Sequence, residues 1–214
     1  MGIAVSGDRG CCLSERLSGG SYLFAVTTGF GRIDGESAAE FALEKLRHEI
    51  ARRAHSGREL RAAVARVNDE LHSRSASHED YVTAGASMTA VLLVGERASL
   101  AHIGSTAAYL VRTGSVVPLT ENDAFDGEHG LPVLMRALGL TRTLDLAISA
   151  FALAAGDALV LAERPLPASA ERLVITFSGV EEAQVPALAE AHTAQSIVTA
   201  VLATVLFYAM LAIR

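Results

Sequence analysis

Apolar residues recur along the first third of the chain with two different periods. Tyr22 to Thr27 is an almost unbroken apolar run, the pattern of a buried strand, and a glycine-rich turn is expected to follow it over 28–35. The period then lengthens. Ala39, Leu43, Leu46 and Ile50 recur at helical spacing behind Ser37-Ala-Ala-Glu40, whose serine and glutamate can satisfy each other's free backbone donors at a helix start. Leu60, Val64, Val67 and Leu71 fall at i, i+4, i+7 and i+11, with Arg, Asn, Asp and Glu on the other faces, which predicts a second amphipathic helix. One face of each helix must pack on something apolar.

Past residue 85 the pattern becomes one of short apolar runs. Ala86 to Val94, Ala98 to Ile103, Ala107 to Val111 and Val116 to Leu119 are divided by Gly95-Glu96, Gly104-Ser105 and Thr113-Gly114, which read as hairpin turns in an antiparallel sheet. A loop rich in charge and glycine, Glu121 to Gly130, precedes a short helical piece expected around Met135 to Leu138. Further strands are expected at Leu144 to Ala150, Ala158 to Ala162 and Arg172 to Phe177. Two helices followed by runs of strands predict an α+β class with helices covering sheet faces. No internal repeat or low-complexity linker interrupts the chain.

Ser196 to Ile213 carries no charge. As a helix rising about 1.5 Å per residue it is just long enough to cross a hydrocarbon core of about 30 Å, so a single-pass transmembrane helix is expected there, with a buried C-terminal helix as the competing reading. This segment also explains a mean hydropathy of +0.33 in a chain whose residues are 20% charged. The organisation expected is therefore a domain over 1–178, a juxtamembrane linker over 179–195 and the membrane helix over 196–213. No secretory signal opens the chain, so the N-terminal domain is expected in the cytoplasm.

Charge and cysteine content narrow the functions. With a net charge of −6 over 214 residues the chain has no electrostatic footprint for nucleic acid. Its two cysteines, Cys11 and Cys12, are neighbours and lack the spaced pairs of a zinc site, so they read as reduced thiols. The seven histidines, at 48, 55, 72, 78, 102, 129 and 192, show no ligand spacing and are expected at solvated positions.

Four stretches in order, over about residues 3 to 177, resemble one family. "LFAVTTGFGRIDGESAAEFA" (23–42), "GASMTAVLLVGERASLAHIGSTAAYLVRTGSVVPLTEND" (85–123), "LMRALG" (134–139) and "AGDALVLAERPL" (155–166) are similar to the signatures of the PPM-type, metal-dependent type 2C protein Ser/Thr phosphatases. The resemblance implies a shortened α-β-β-α sandwich, two antiparallel sheets flanked by helices, with a site at one end. It also implies magnesium or manganese ions there, which activate water to attack a phosphoryl group and need several oxygen ligands.

This chain departs from the pattern where the metals would bind. The bridging Asp of the family falls on Thr28, with the following glycine kept as Gly29. The Asp of the second motif falls on Ser105 and that of the last falls on Arg164. Glu163 beside Arg164 is not expected to substitute, because adjacent strand residues point to opposite faces. The family's final Asp-Asn pair best matches Glu171-Arg172, so one carboxylate survives at Glu171. The family's N-terminal Arg and acidic pattern could fall on Arg9, Glu15 or Arg16. Asp34 and Glu36 are weak candidates for relocated ligands, since a carboxylate near a helix N-terminus is explained by the free N–H groups there.

The function expected from this combination is a membrane-anchored phosphatase-like protein that has lost catalysis, needs no cofactor and binds a signalling partner, a phosphoprotein or a kinase. A divergent but active Ser/Thr phosphatase using manganese or magnesium is the first alternative. A structural membrane subunit without a phospho-related role is the second, because a fold alone never establishes activity.

Overall fold

The computed structural model describes residues 2–4, 10–33, 36–52, 55–76, 84–113, 115–126, 132–165 and 200–202. Its strands are β1 (Gly2–Ala4), β2 (Gly10–Arg16), β3 (Tyr22–Phe30), β4 (Arg32–Ile33), β5 (Glu36–Ser37), β6 (Gly85–Val94), β7 (Arg97–Ile103), β8 (Ala107–Arg112), β9 (Ser115–Pro118), β10 (Ala124–Asp126), β11 (Pro132–Leu134), β12 (Ala147–Ala152), β13 (Ala158–Ala162) and β14 (Ala200–Leu202). Two helices, α1 (Ala38–Ala51) and α2 (Gly57–Ala76), lie between β5 and β6.

The larger sheet is antiparallel with five strands in the order β12-β7-β6-β3-β2. The second, of order β13-β8-β9, is also antiparallel and stacks against it. Alternation along the strands makes two cores. Leu23, Ala25, Met88, Ala90, Leu92, Ala101 and Ile103 project from one face of the larger sheet and meet Leu46, Ile50, Leu60, Val64, Val67 and Leu71 of the helices. Phe24, Val26, Val91, Leu100, Leu110, Leu159 and Leu161 fill the space between the sheets.

The helices bear out their sequence patterns. Ser37 caps α1 as expected: its hydroxyl accepts from the Glu40 N–H, and the Glu40 carboxylate accepts from the Ser37 N–H. On α2 all four residues of the predicted apolar face are fully buried, each contributing about 1.5–3 kcal/mol over an exposed position. Both helices cover the larger sheet, and among the described residues no helix lies on the second.

Several expectations are corrected. The strand that begins at Tyr22 runs through Thr28 and Gly29 to Phe30, and the chain turns only at Gly31, whose φ is 73°. Gly104-Ser105 closes no hairpin: β7 and β8 belong to different sheets, so the turn carries the chain across the sandwich. Nothing helical forms at 135–138. Leu138 instead bridges Ala86 with bonds of 3.1 and 2.8 Å, extending the larger sheet beyond its named strands.

The strand expected at 144–150 is observed at Ala147–Ala152, and that at Ala158–Ala162 has the expected bounds. The one expected at 172–177 lies outside the described residues, as do the linker at 179–195 and most of 196–213. Ala200–Leu202, in the middle of the expected membrane helix, form β14, antiparallel to β1. These three are the residues of 196–213 that the structure describes, and among the described residues no helix is long and apolar enough to cross a membrane. Val- and Ala-rich uncharged runs suit a strand as well as a lipid-facing helix, so a short strand at these three residues is in keeping with their composition.

Candidate functional site

The candidate site forms where the strands of both sheets end together. On β3, Phe24 and Val26 face the second sheet, and the same alternation sends Thr28 into the space between the sheets. On β6, Val91 and Leu93 set the parity that turns Ser87 and Thr89 inward, and on β7 Ala98 and Leu100 do so for His102. Register aligns these ends: Thr28 stands opposite Ser87, Thr89 opposite His102, and Ala162 at the end of β13 opposite Ala107 at the start of β8.

Close backbone approaches shape the site. A Cβ at Gly29 would lie 2.6 Å from the Ala39 nitrogen in the first turn of α1, so this glycine serves helix-to-strand packing instead of a turn. Gly104, at φ 97°, would put a Cβ 2.2 Å from the Ser87 hydroxyl oxygen. The chain can therefore press its sheet-crossing turn onto β6, and the Ser105 N–H donates to Ser87 Oγ at 3.0 Å. The two hydroxyl oxygens are 3.2 Å apart. Thr28 and Ser105, separated by 77 positions in the chain, are thus joined through Ser87, which sequence reasoning missed.

The other expected site residues divide. Arg164 is exposed beyond the end of β13, while Glu163 is only 6% exposed and continues the inward parity of Leu159 and Leu161. Adjacent residues face opposite ways here, and Glu163 is the inward one of the pair. Burial first, and then the Glu163 carboxylate, push the free Cys12 thiol up from its ordinary range. Glu15 and Arg16 lie opposite Leu23 and Tyr22, at the far end of β2 from Thr28, and Glu15 pairs with Arg47 at 2.9 Å. Neither belongs to the site. Arg9, Asp34 and Glu171 lie outside the described residues, as does the Glu36 side chain.

Two polar networks that the sequence reading did not single out hold the turn in place. Asp123 accepts the Gly104 N–H at 2.8 Å through one carboxylate oxygen and binds the Arg136 guanidinium through the other. Its own N–H donates to the Gly104 carbonyl at 3.0 Å. Arg136 reaches on to Asp145 at 2.7 Å. Arg136→Ala leaves Asp123, 8% exposed, as a nearly buried carboxylate without its cation. The expected cost is about 2–3 kcal/mol of unfolding free energy, measured by urea denaturation, since breaking a buried pair strands a charge while Arg136 itself is partly solvated.

His102 is 2% exposed, which corrects the expectation of solvated histidines. Its Nε2 lies 2.8 Å from the Glu121 carbonyl and its Nδ1 2.9 Å from the Thr89 hydroxyl, which is 2.8 Å from that of Thr106. Inward parity on β7 was the signal that could have found it. Burial holds the imidazole below its usual range, and the neighbouring Arg136 cation adds to this. The Glu121 carbonyl and Asp123 oppose. The ring is therefore neutral near pH 7, with Nε2–H donating to the carbonyl and Nδ1 accepting from Thr89.

These donors do not fit a divalent metal centre. Hard cations require several oxygen ligands, mostly carboxylates, whereas Thr28, Ser87 and Ser105 offer neutral hydroxyls and Glu163 a single carboxylate. Among the described residues no three His, Cys, Asp or Glu side chains come together to hold a metal ion.

No model of a known protein family matches the chain. A serine/threonine protein phosphatase of Mycobacterium tuberculosis, PstP, is 29% identical over 128 residues, which are 57% of this chain and 25% of that protein. The chain thus spans about a quarter of the length of the curated relatives it matches. Among solved structures, the serine/threonine phosphatase of S. agalactiae superposes with a TM-score of 0.74 at 17% identity, over 94% of this chain and 96% of that one. The catalytic domain of PstP, solved in complex with two manganese ions, superposes with a TM-score of 0.64 at 23% identity, over 86% and 88%. The PPM phosphatase from Mycobacterium smegmatis, in complex with cacodylate, gives 0.66 at 22%, over 89% and 88%.

Proposed function

We propose that this chain, whose fold is that of the PPM-type Ser/Thr phosphatases, is a pseudophosphatase that works by binding a signalling partner and does not hydrolyse phosphoesters. The observation that carries this reading is the chemistry of the inward side chains at the site end. Hydroxyls at Thr28 and Ser105 stand where the resemblance calls for carboxylates, and Ser87 and Ser105 are hydrogen-bonded to each other. Two dications held close together need several negative charges, and hydroxyls supply none. The turn at Ser105 is meanwhile tied to β6 by hydrogen bonds from protein groups, which supports this reading. The partner class we propose, a phosphoprotein or a kinase, is by analogy with the fold alone. Membrane attachment through the apolar C-terminal run is a separate proposal, checked by whether the protein leaves the membrane fraction without detergent.

The test is turnover of p-nitrophenyl phosphate and of a phosphothreonine peptide with manganese or magnesium. The expected rate equals that of a mock purification. Metal-dependent hydrolysis that disappears in Glu171→Gln or Glu163→Gln would establish the divergent-enzyme reading instead. That reading has one observation in its favour, the inward Glu163 carboxylate.

A further inference from the structure

We infer that His102 is a proton-operated latch on the turn that crosses between the two sheets, closed while the imidazole is neutral and opened when it takes a proton. The geometry behind this is a pair of chain segments clamped side by side. His102 Nε2–H donates to the Glu121 carbonyl, and two residues further on the Asp123 N–H donates to the Gly104 carbonyl while the Asp123 carboxylate takes the Gly104 N–H. The segment 102–104 leads directly into Ser105 and Thr106, and Thr106 stands at the threshold of β8 in the second sheet. His102 therefore sits at the hinge of the crossing.

The neutral ring fixes the direction of a hydroxyl chain. Nδ1 has no proton, so Thr89 donates to it, and Thr89 in turn accepts the Thr106 hydroxyl proton. Protonation puts a hydrogen on Nδ1. Thr89 must then accept from the ring and donate to Thr106, whose own proton needs a new acceptor. Thr89 and Thr106 are both fully buried, where a donor left without an acceptor is costly. A proton taken up on β7 is thereby felt at Thr106, the residue before the second sheet begins.

Charged neighbours leave the cation poorly compensated. Asp123 faces the ring and favours protonation, but its carboxylate already serves Gly104 and Arg136, and the Arg136 cation repels the imidazolium. Glu163 and Cys12 lie in the space between the sheets, and Glu121 offers its carbonyl while its side chain is exposed. Opening the turn rehydrates the ring and frees Ser105 from Ser87, so acid would change the surface that the site end presents. The unfolded imidazole titrates near its ordinary value and the folded one below it. The latch is thus fully closed above the ordinary range and opens as pH falls beneath it.

Amide hydrogen exchange of the full chain at about pH 7.5 and about pH 5.5, corrected for intrinsic rates, tests this in a window where ordinary carboxylates stay charged. Protection at Ser105 and Thr106 is expected to fall by about tenfold or more in acid, while the α2 amides hold theirs. His102→Gln, which keeps a donor for the Glu121 carbonyl and cannot titrate, is expected to abolish the difference, whereas Glu163→Gln should leave it. Persistence of the acid effect in His102→Gln, or its loss in Glu163→Gln, overturns the inference. If His102→Gln does not fold, the imidazole nitrogen shifts of the wild-type chain decide. They must titrate with the same midpoint as the exchange at Ser105, and a flat titration across an opening turn is fatal to the idea.

Discussion

Asp157→Ala is expected to lower the unfolding free energy by about 3 kcal/mol, read as a fall in Tm of about 6–12 °C. Asp157 directly precedes β13 and is 2% exposed. Its carboxylate takes both arms of Arg112, at 2.8 and 2.6 Å, together with the Ala154 N–H at 2.7 Å. Arg112 also donates to the Ala152 carbonyl at 3.0 Å, so the end of β8, the end of β12 and the start of β13 are tied through one side chain. Truncation leaves a backbone donor unsatisfied and three elements untied. Arg112 is half-exposed and water screens much of the Coulomb attraction, so most of the loss comes from the bonds at the buried carboxylate. Asp157→Asn keeps one acceptor and should cost less.

The pH dependence of that pair has a definite sign. Bonding from Arg112 comes first among the causes that hold the Asp157 carboxyl below its usual range, with burial opposing. The folded state therefore binds its proton more weakly than the unfolded chain. The contribution is fully present above the ordinary aspartate range and is lost as pH falls through the lowered folded value. An acid titration of stability should show a loss below about pH 4 in the wild-type chain that Asp157→Asn lacks. His102 acts in a separate and higher window, so the two losses are distinguishable in one titration.

The parts of this molecule legible in the sequence are those governed by neighbours in the chain. The Ser37–Glu40 cap and the apolar face of α2 repeat at spacings that one helix turn dictates, and both stand as expected. The strand bounds of β6 to β9 were legible for the same reason. What failed depended on distant partners. Gly104-Ser105 carries the same local signal as a hairpin, and only the stacking of two sheets makes it a crossover. "LMRALG" signals a helix by composition, yet Arg136 and Leu138 are claimed by Asp123 and Ala86. At the site, the replacements Thr28 and Ser105 were readable from their flanks, but their link through Ser87 needed the register of β3 with β6. The inward position of Glu163 was not legible because a motif alignment counts positions, whereas orientation is set by strand parity continued from Leu159 and Leu161.

Restoring charge at the two hydroxyl positions should make the stability of the protein depend on metal, which the wild-type chain is expected not to show. In Thr28→Asp/Ser105→Asp both new carboxylates arise at the end of the sandwich where Glu163 already points inward. Three like charges in a half-buried space repel strongly without a cation, so the double variant should be less stable than wild type in EDTA. A dication binding only the folded state then stabilises by the logarithm of its concentration over its Kd, about 2.7 kcal/mol at a hundredfold excess, or about 5–11 °C in Tm. The measurement is thermal unfolding with and without manganese. Wild-type Tm should be the same in both conditions, and the double variant should rise with manganese and fall with EDTA. A wild-type Tm that already climbs with manganese would mean that the site end still assembles an ion from groups such as Glu163 and Glu171, and the pseudophosphatase reading would give way to the divergent enzyme.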